Sequence, residues 1–135
     1  EIGTARCLKE GSKIAVLTMG HIGNEIVRVL DTLDHPETIG HYDMRFVKPL
    51  DKKYLSAIFK KYDHIITVED GCKMGGFGSA VLEYANEERI HKPVTVFGIP
   101  DNFVEHGTME ETHRLAGIDF DALHSYIKST LNQCD

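Results

Sequence analysis

No run in this 135-residue chain is long and apolar enough to cross a bilayer, which takes roughly 18 or more consecutive apolar residues. There is also no basic segment followed by an apolar one, so no secretory leader is legible. Lys and Arg are scattered; Lys52-Lys53 and Lys60-Lys61 are the only adjacent pairs, against a net charge of −6. Nucleic-acid binding depends on clustered cations that neutralise phosphates, so a general nucleic-acid binder is excluded and the pairs read as solvated helix faces. The cysteines number three, Cys7, Cys72 and Cys134, odd and far apart. They make no CxxC and no disulfide framework, which points to a reducing compartment, the cytoplasm.

Catalytic signatures are missing as well. The eight histidines form no HExxH and fall mostly at the ends of elements, so no metal site is expected. His106 and His113 are seven apart, but Gly107 between them argues for a turn. No GxSxG marks a nucleophile elbow. Cys72 precedes a helix start, which can lower a thiol pKa; with no partner base it reads as a loop cysteine. Chemistry contained wholly within these residues is not expected. The chain opens on Glu1 without a methionine, and further sequence upstream of it is the expectation.

What is present is an alternation of short apolar runs and amphipathic stretches, on a length suited to one domain over residues 1–135. Ile14 to Met19 is nearly continuous hydrophobic, as a strand buried on both faces should be. Ile22, Ile26, Val29, Leu30 and Leu33 then recur at helical spacing, and His35-Pro36 stops that helix. Tyr42, Met44 and Phe46 alternate with His41, Asp43 and Arg45, which predicts a half-exposed strand nearer a sheet edge. Pro49 and Asp51 mark the next helix start, with Tyr54, Leu55, Ile58, Phe59 and Tyr62 as its stripe.

Ile65 to Val68 is a third strand. Phe77, Ala80, Val81, Tyr84 and Ala85 give a helix, and Pro93 to Phe97 a fourth strand. A short helix near Met109 to Ala116 and a last one capped by Asp119 complete the pattern. Ala5 to Leu8 adds a short fifth strand. The architecture this implies is α/β: a three-layer α/β/α sandwich on a mostly parallel five-stranded sheet.

In such a sheet, ligands sit beyond the carboxyl ends of the parallel strands. Four loops meet that description: Gly20 to Gly23, Arg45 to Asp51, Glu69 to Gly78, and Gly98 to Asp101. The third, within "VEDGCKMGGFGSAV", opens a helix, where backbone N–H groups attract anions. Its spacing is not that of a dinucleotide turn, and Phe77 stands where a P-loop lysine belongs. Glu69 and Asp70 would repel a phosphate. Adjacent strand positions point to opposite faces, so these two acids are not expected to act as a catalytic pair, and Glu69 is suited to accept N–H bonds from the helix start. Tight helix packing and positive φ at Gly75, Gly76 and Gly78 are the reading these details favour, with anion binding the open alternative.

Three phrases, "DMRFVKPLD" (43–51), "VEDGCKMGGFGSAV" (68–81) and "FGIPDNFVEHGTMEE" (97–111), resemble the C-terminal domain of the 1-deoxy-D-xylulose-5-phosphate synthases, within the transketolase family of thiamine-diphosphate enzymes. The opening "EIGTARCLKEGSKIAVLTMG" fits as well, so the resemblance covers essentially the whole chain. RFVKPLD and GGFG are shared across the wider family; PDNFVEHG (100–107) is the more specific mark. Asp70-Gly71-Cys72 is a modest departure from the usual pattern.

The resemblance implies a parent enzyme that condenses pyruvate with glyceraldehyde 3-phosphate, with loss of carbon dioxide, for isoprenoid, thiamine and pyridoxal biosynthesis. It implies a homodimer whose thiamine diphosphate and magnesium lie in two upstream domains of the same chain, with no cofactor in this stretch. No catalytic, cofactor-binding or metal residue carries over. Contacts to the rest of the enzyme are expected from Arg45, Lys48, Asp51, Glu69, Gly75, Gly76, Phe77, Gly78, Asp101, Glu105 and His106. The competing readings are the matching domain of a transketolase or of a 2-oxo-acid dehydrogenase β-subunit, and a free-standing small-anion-binding module.

Overall fold

The computed structural model describes residues 1–134. At its centre lies β2 (Ile14–Met19), a strand apolar on both faces because both are covered. Ile14 and Val16 pack into one core cluster, Ala15 and Leu17 into the other. Four further strands follow: β1 (Arg6–Lys9), β3 (Ile39–Asp43), β4 (His64–Cys72) and β5 (Val94–Ile99). The sheet order is β1-β3-β2-β4-β5. β1 runs antiparallel to β3, and the remaining pairings are parallel. The expected mixed, mostly parallel five-stranded sheet is therefore the one observed.

The helices divide between the faces as the direction of the crossovers requires. α1 (Gly23–Asp31) carries the chain from β2 to β3 on one face, where Ile26, Val29 and Leu30 are enclosed. α2 (Lys52–Lys61) and α3 (Phe77–Glu87) lie on the other, linking β3 to β4 and β4 to β5. α4 (Met109–Ala116) and α5 (Phe120–Gln133) return on the α1 side, where Leu123 and Ile127 join Ile26 and Val29. Each such buried aliphatic side chain contributes about 1.5–3 kcal/mol.

Local chemistry sets the helix boundaries. Asp51 caps α2 by accepting from the Tyr54 N–H, and Asp119 caps α5 at Ala122. α4 begins with a capping box: Thr108 accepts from Glu111 N–H while the Glu111 carboxylate accepts from Thr108 N–H. That second bond holds the Glu111 carboxyl below its ordinary range. Gly117 ends the helix at φ 71°, the left-handed cap that glycine reaches without penalty.

Two strand expectations need correction. The third strand in sequence order spans Ile39–Asp43 instead of reaching Phe46, and Ile39 through Tyr42 are buried, not half-exposed. β1 adds outside it and α1 covers one face, so His41 is enclosed in spite of its polarity. β4 continues through Glu69 and Asp70 to Cys72, with an irregularity between Val68 and Cys72; the loop before α3 is shorter than the run of acids and glycines suggested. An unanticipated polar link ties the halves of the α2-side core. The Tyr42 and Tyr62 hydroxyls lie 2.7 Å apart, and the Gly11 N–H donates to the Tyr62 hydroxyl at 3.0 Å. A Cβ on Gly40 would stand 2.3 Å from that hydroxyl oxygen, so glycine is needed there.

Candidate interface at the carboxyl edge of the sheet

All four loops expected to matter lie at the carboxyl end of a parallel strand. The β4–α3 segment carries the buried acid, Glu69. Glu69 pairs with Met19 in the β2–β4 register, which sets it at the very end of the core. Its side chain is only 5% exposed and accepts from the Phe77 N–H at 2.8 Å and the Gly78 N–H at 3.1 Å. These are two of the N–H groups that a helix start leaves without an intrahelical partner, and the positive end of the helix dipole favours the carboxylate. The Glu69 carboxylate thus occupies the place where an external anion would bind.

The glycines around it have the roles that packing requires. Gly75 adopts φ 74°, and its N–H donates to the Ser79 hydroxyl at 2.9 Å. A Cβ on Gly76 would fall 2.2 Å from the Cys72 carbonyl and 2.6 Å from both Glu69 oxygens. A Cβ on Gly78 would meet Val96 Cγ1 at 2.4 Å, so glycine lets α3 approach β5. No room remains here for a diphosphate, and among the described residues no three His, Cys, Asp or Glu side chains stand together as ligands for a metal ion. This helix start, filled by the Glu69 carboxylate, therefore does not fit a diphosphate.

Asp70 faces the opposite way. Its Oδ1 is 3.2 Å from His113 Nε2 of α4, but the groups are not aligned as a hydrogen bond. His113 Nε2 is enclosed without a hydrogen-bond partner, as is Thr67 Oγ1. His41 has a better environment, with Nε2 3.0 Å from the Thr18 hydroxyl beneath the Gly20–Gly23 turn. Burial, which disfavours a charged imidazole, lowers its pKa to about 4.

The β3–α2 loop is partly braced and partly open. Asp51 accepts from the Ala5 N–H at 2.9 Å besides capping α2, so it fastens the chain start to this edge. Arg45 is exposed at φ 61°, its guanidinium 3.4 Å from the Thr4 carbonyl and 5.3 Å from the Phe46 ring centre. Lys48 is exposed next to it. The β5–α4 connection is the open one. Asp101, Glu105 and His106 are all exposed, and Phe103 is 88% exposed.

The eleven expected contact residues therefore divide. Glu69, Phe77 and Gly78 are turned inward, with Phe77 fully buried in the α2-side core. Arg45, Lys48, Gly75, Asp101, Glu105 and His106 present themselves to solvent, and Asp51 and Gly76 are intermediate. Phe103 and Met74, 69% exposed, complete this edge and lie outside the expected set. The signal for Phe103 was present as the one aromatic residue in a phrase otherwise made for solvent.

Residues 3–123 match the sequence profile described as "Transketolase, C-terminal domain". The chain is 48% identical over 119 residues to 1-deoxy-D-xylulose-5-phosphate synthase of Cytophaga hutchinsonii, covering 87% of this chain and 19% of that protein. It is 45% identical over 124 residues to the enzyme of the same name from Porphyromonas gingivalis, covering 91% and 20%. The chain thus spans about a fifth of the length of these relatives. Among solved structures, "Split gene transketolase, inactive beta4 tetramer" superposes with a TM-score of 0.87 at 25% identity, covering 100% of this chain and 44% of that one. Transketolase from Campylobacter jejuni shares the fold at a TM-score of 0.65 and 20% identity, over 94% of this chain and 18% of its own. With a profile match across nearly its whole length and the five-stranded sheet in the matching arrangement, the chain belongs to the transketolase C-terminal domain family.

Proposed function

We propose that this chain serves as the non-catalytic C-terminal domain of a 1-deoxy-D-xylulose-5-phosphate synthase. In this reading residues 1–135 form one domain that packs against upstream domains and supports a homodimer. Upstream residues hold thiamine diphosphate and magnesium and join pyruvate to glyceraldehyde 3-phosphate with decarboxylation. The observation that carries it is the contrast between an α3 helix start already filled by Glu69 and an open edge at Arg45, Lys48 and residues 101–106. The first is closed to an external anion, and the second offers charge and one exposed aromatic ring to a partner. No described helix is long and apolar enough to cross a membrane. The free cysteines fit a reducing cytoplasm.

The test is to supply this chain and the upstream part of the synthase as separate polypeptides. A stable complex should form, and synthase turnover should require both. Product made from pyruvate and glyceraldehyde 3-phosphate by this chain alone would overturn the reading. So would full turnover by the upstream part without it.

A further inference from the structure

At the opposite end of the sheet, where the strands begin, lies a cleft of about 370 Å³, within the range of small-molecule sites. α5 forms one wall with His124, Lys128 and Asn132, and the connection leaving α1 forms the other with Asp34. Leu33 and Leu131 supply its apolar surface. Lys128, Asp34 and Asn132 make no side-chain hydrogen bond or ion pair within the described residues, so a cation and an anion line one cleft without engaging each other.

The chemistry of the walls narrows the ligand. α1 and α5 both end here, with C-caps at Thr32 and Cys134, so the helix dipoles present their negative ends. No arginine lines the cleft, and the helical segment that begins at it, Pro36–Thr38, is a single 3-10 turn without a dipole of consequence. Phosphate sites typically use an arginine fork or a helix N-terminus, and a dianion would meet both the helix ends and Asp34. Lys13 also lines the cleft but is already engaged, so a ligand with one carboxylate for Lys128 and His124, and an ammonium for Asp34 and the helix ends, meets the charges left open. We propose that this cleft binds a small aliphatic amino acid, its side chain resting on Leu33 and Leu131.

The cleft lies at the edge remote from the proposed domain contacts, so the two ideas stand or fall separately. The experiment is a titration of the ¹⁵N-labelled chain, followed by amide shifts, with three probes: L-valine, 3-methylbutanoate, which lacks the ammonium, and isobutylamine, which lacks the carboxylate. Valine should shift the amides of His124, Lys128, Asn132 and Asp34, with each single-charge analogue binding about tenfold more weakly. Lys128→Glu sits on an exposed helix position and should weaken valine by about tenfold while leaving the remaining spectrum intact. Valine binding no better than its analogues, valine unaffected by Lys128→Glu, or no shift in this cleft would each overturn the proposal.

Discussion

The two connections that leave β4 and β5 begin with similar letters, an acid beside glycine in one and glycine before proline and acid in the other, yet they solve opposite problems. In the β4–α3 segment the buried acid is spent internally: Glu69 binds the helix start, and Gly76 and Gly78 admit close approach of their neighbours. In the β5–α4 connection the acids and His106 point to solvent, and Phe103 is left uncovered. Enclosed polar groups need partners, so the first connection is determined by the fold itself. The second has no such demand, and its residues are free to serve contacts outside the chain.

The sharpest way to break this contrast is at Glu69. Glu69→Ala strands two enclosed N–H groups and should cost on the order of 3 kcal/mol. Glu69→Gln keeps one acceptor but brings its amide NH₂ against a second donor, for about 1–2 kcal/mol. Urea denaturation of the two variants measures this order. Midpoints for both within experimental error of the parent would mean that the turn is not held from inside.

A second enclosed connection, between β2 and α1, sharpens the point through pH. A Cβ on Gly23 would lie 3.0 Å from the Thr18 hydroxyl and 3.7 Å from His41 Nε2, so the turn closes directly over the imidazole. Folded His41 titrates near 4, against 6.5 for an unperturbed imidazole. The unfolded chain therefore binds the extra proton first. Stability from keeping His41 neutral is complete above about pH 6.5 and is lost as pH falls toward 4, for a total of about 3 kcal/mol. His41→Gln, which can still meet Thr18 but does not titrate, should flatten stability across that window. Equal slopes for parent and variant, from denaturant midpoints at several pH values, would remove His41 from the account.

Sequence pattern reached the parts of this fold where one face or one stripe dominates. The Ile14 to Met19 run reads as a doubly covered strand because neighbours on both sides and both faces exist to cover it. Glu69 was readable as an acceptor because the strand alternates and a helix starts eight residues on. His41 was not readable, since polar residues in an alternating stretch signal solvent unless a later-pairing strand and helix close over them. The Tyr42–Tyr62 hydroxyl contact joins residues 20 apart, a pairing that only the β3-to-β4 crossover creates. At the edge, the phrase PDNFVEHG marked the region by resemblance. Its exposure is a property of the folded chain alone, because no local rule says whether a lone phenylalanine in a polar loop folds back or stands out.

The smallest effect on folding should come from the open connection, and that is what makes it the decisive counterpart to Glu69. Phe103 is 88% exposed, so Phe103→Ser should leave the urea midpoint of this chain within about 0.5 kcal/mol of the parent. If the ring is an anchor for upstream domains, the same change should weaken association with the separately supplied upstream polypeptide by about tenfold, as loss of an aromatic contact at an interface does. Glu69→Gln should show the reverse: a clear loss of stability, and association unchanged at temperatures where the variant is folded. Association that followed Glu69 and ignored Phe103 would place the contact surface on the enclosed turn and invert the assignment, because a residue whose carboxylate is engaged by its own helix could then be reached only by opening the fold.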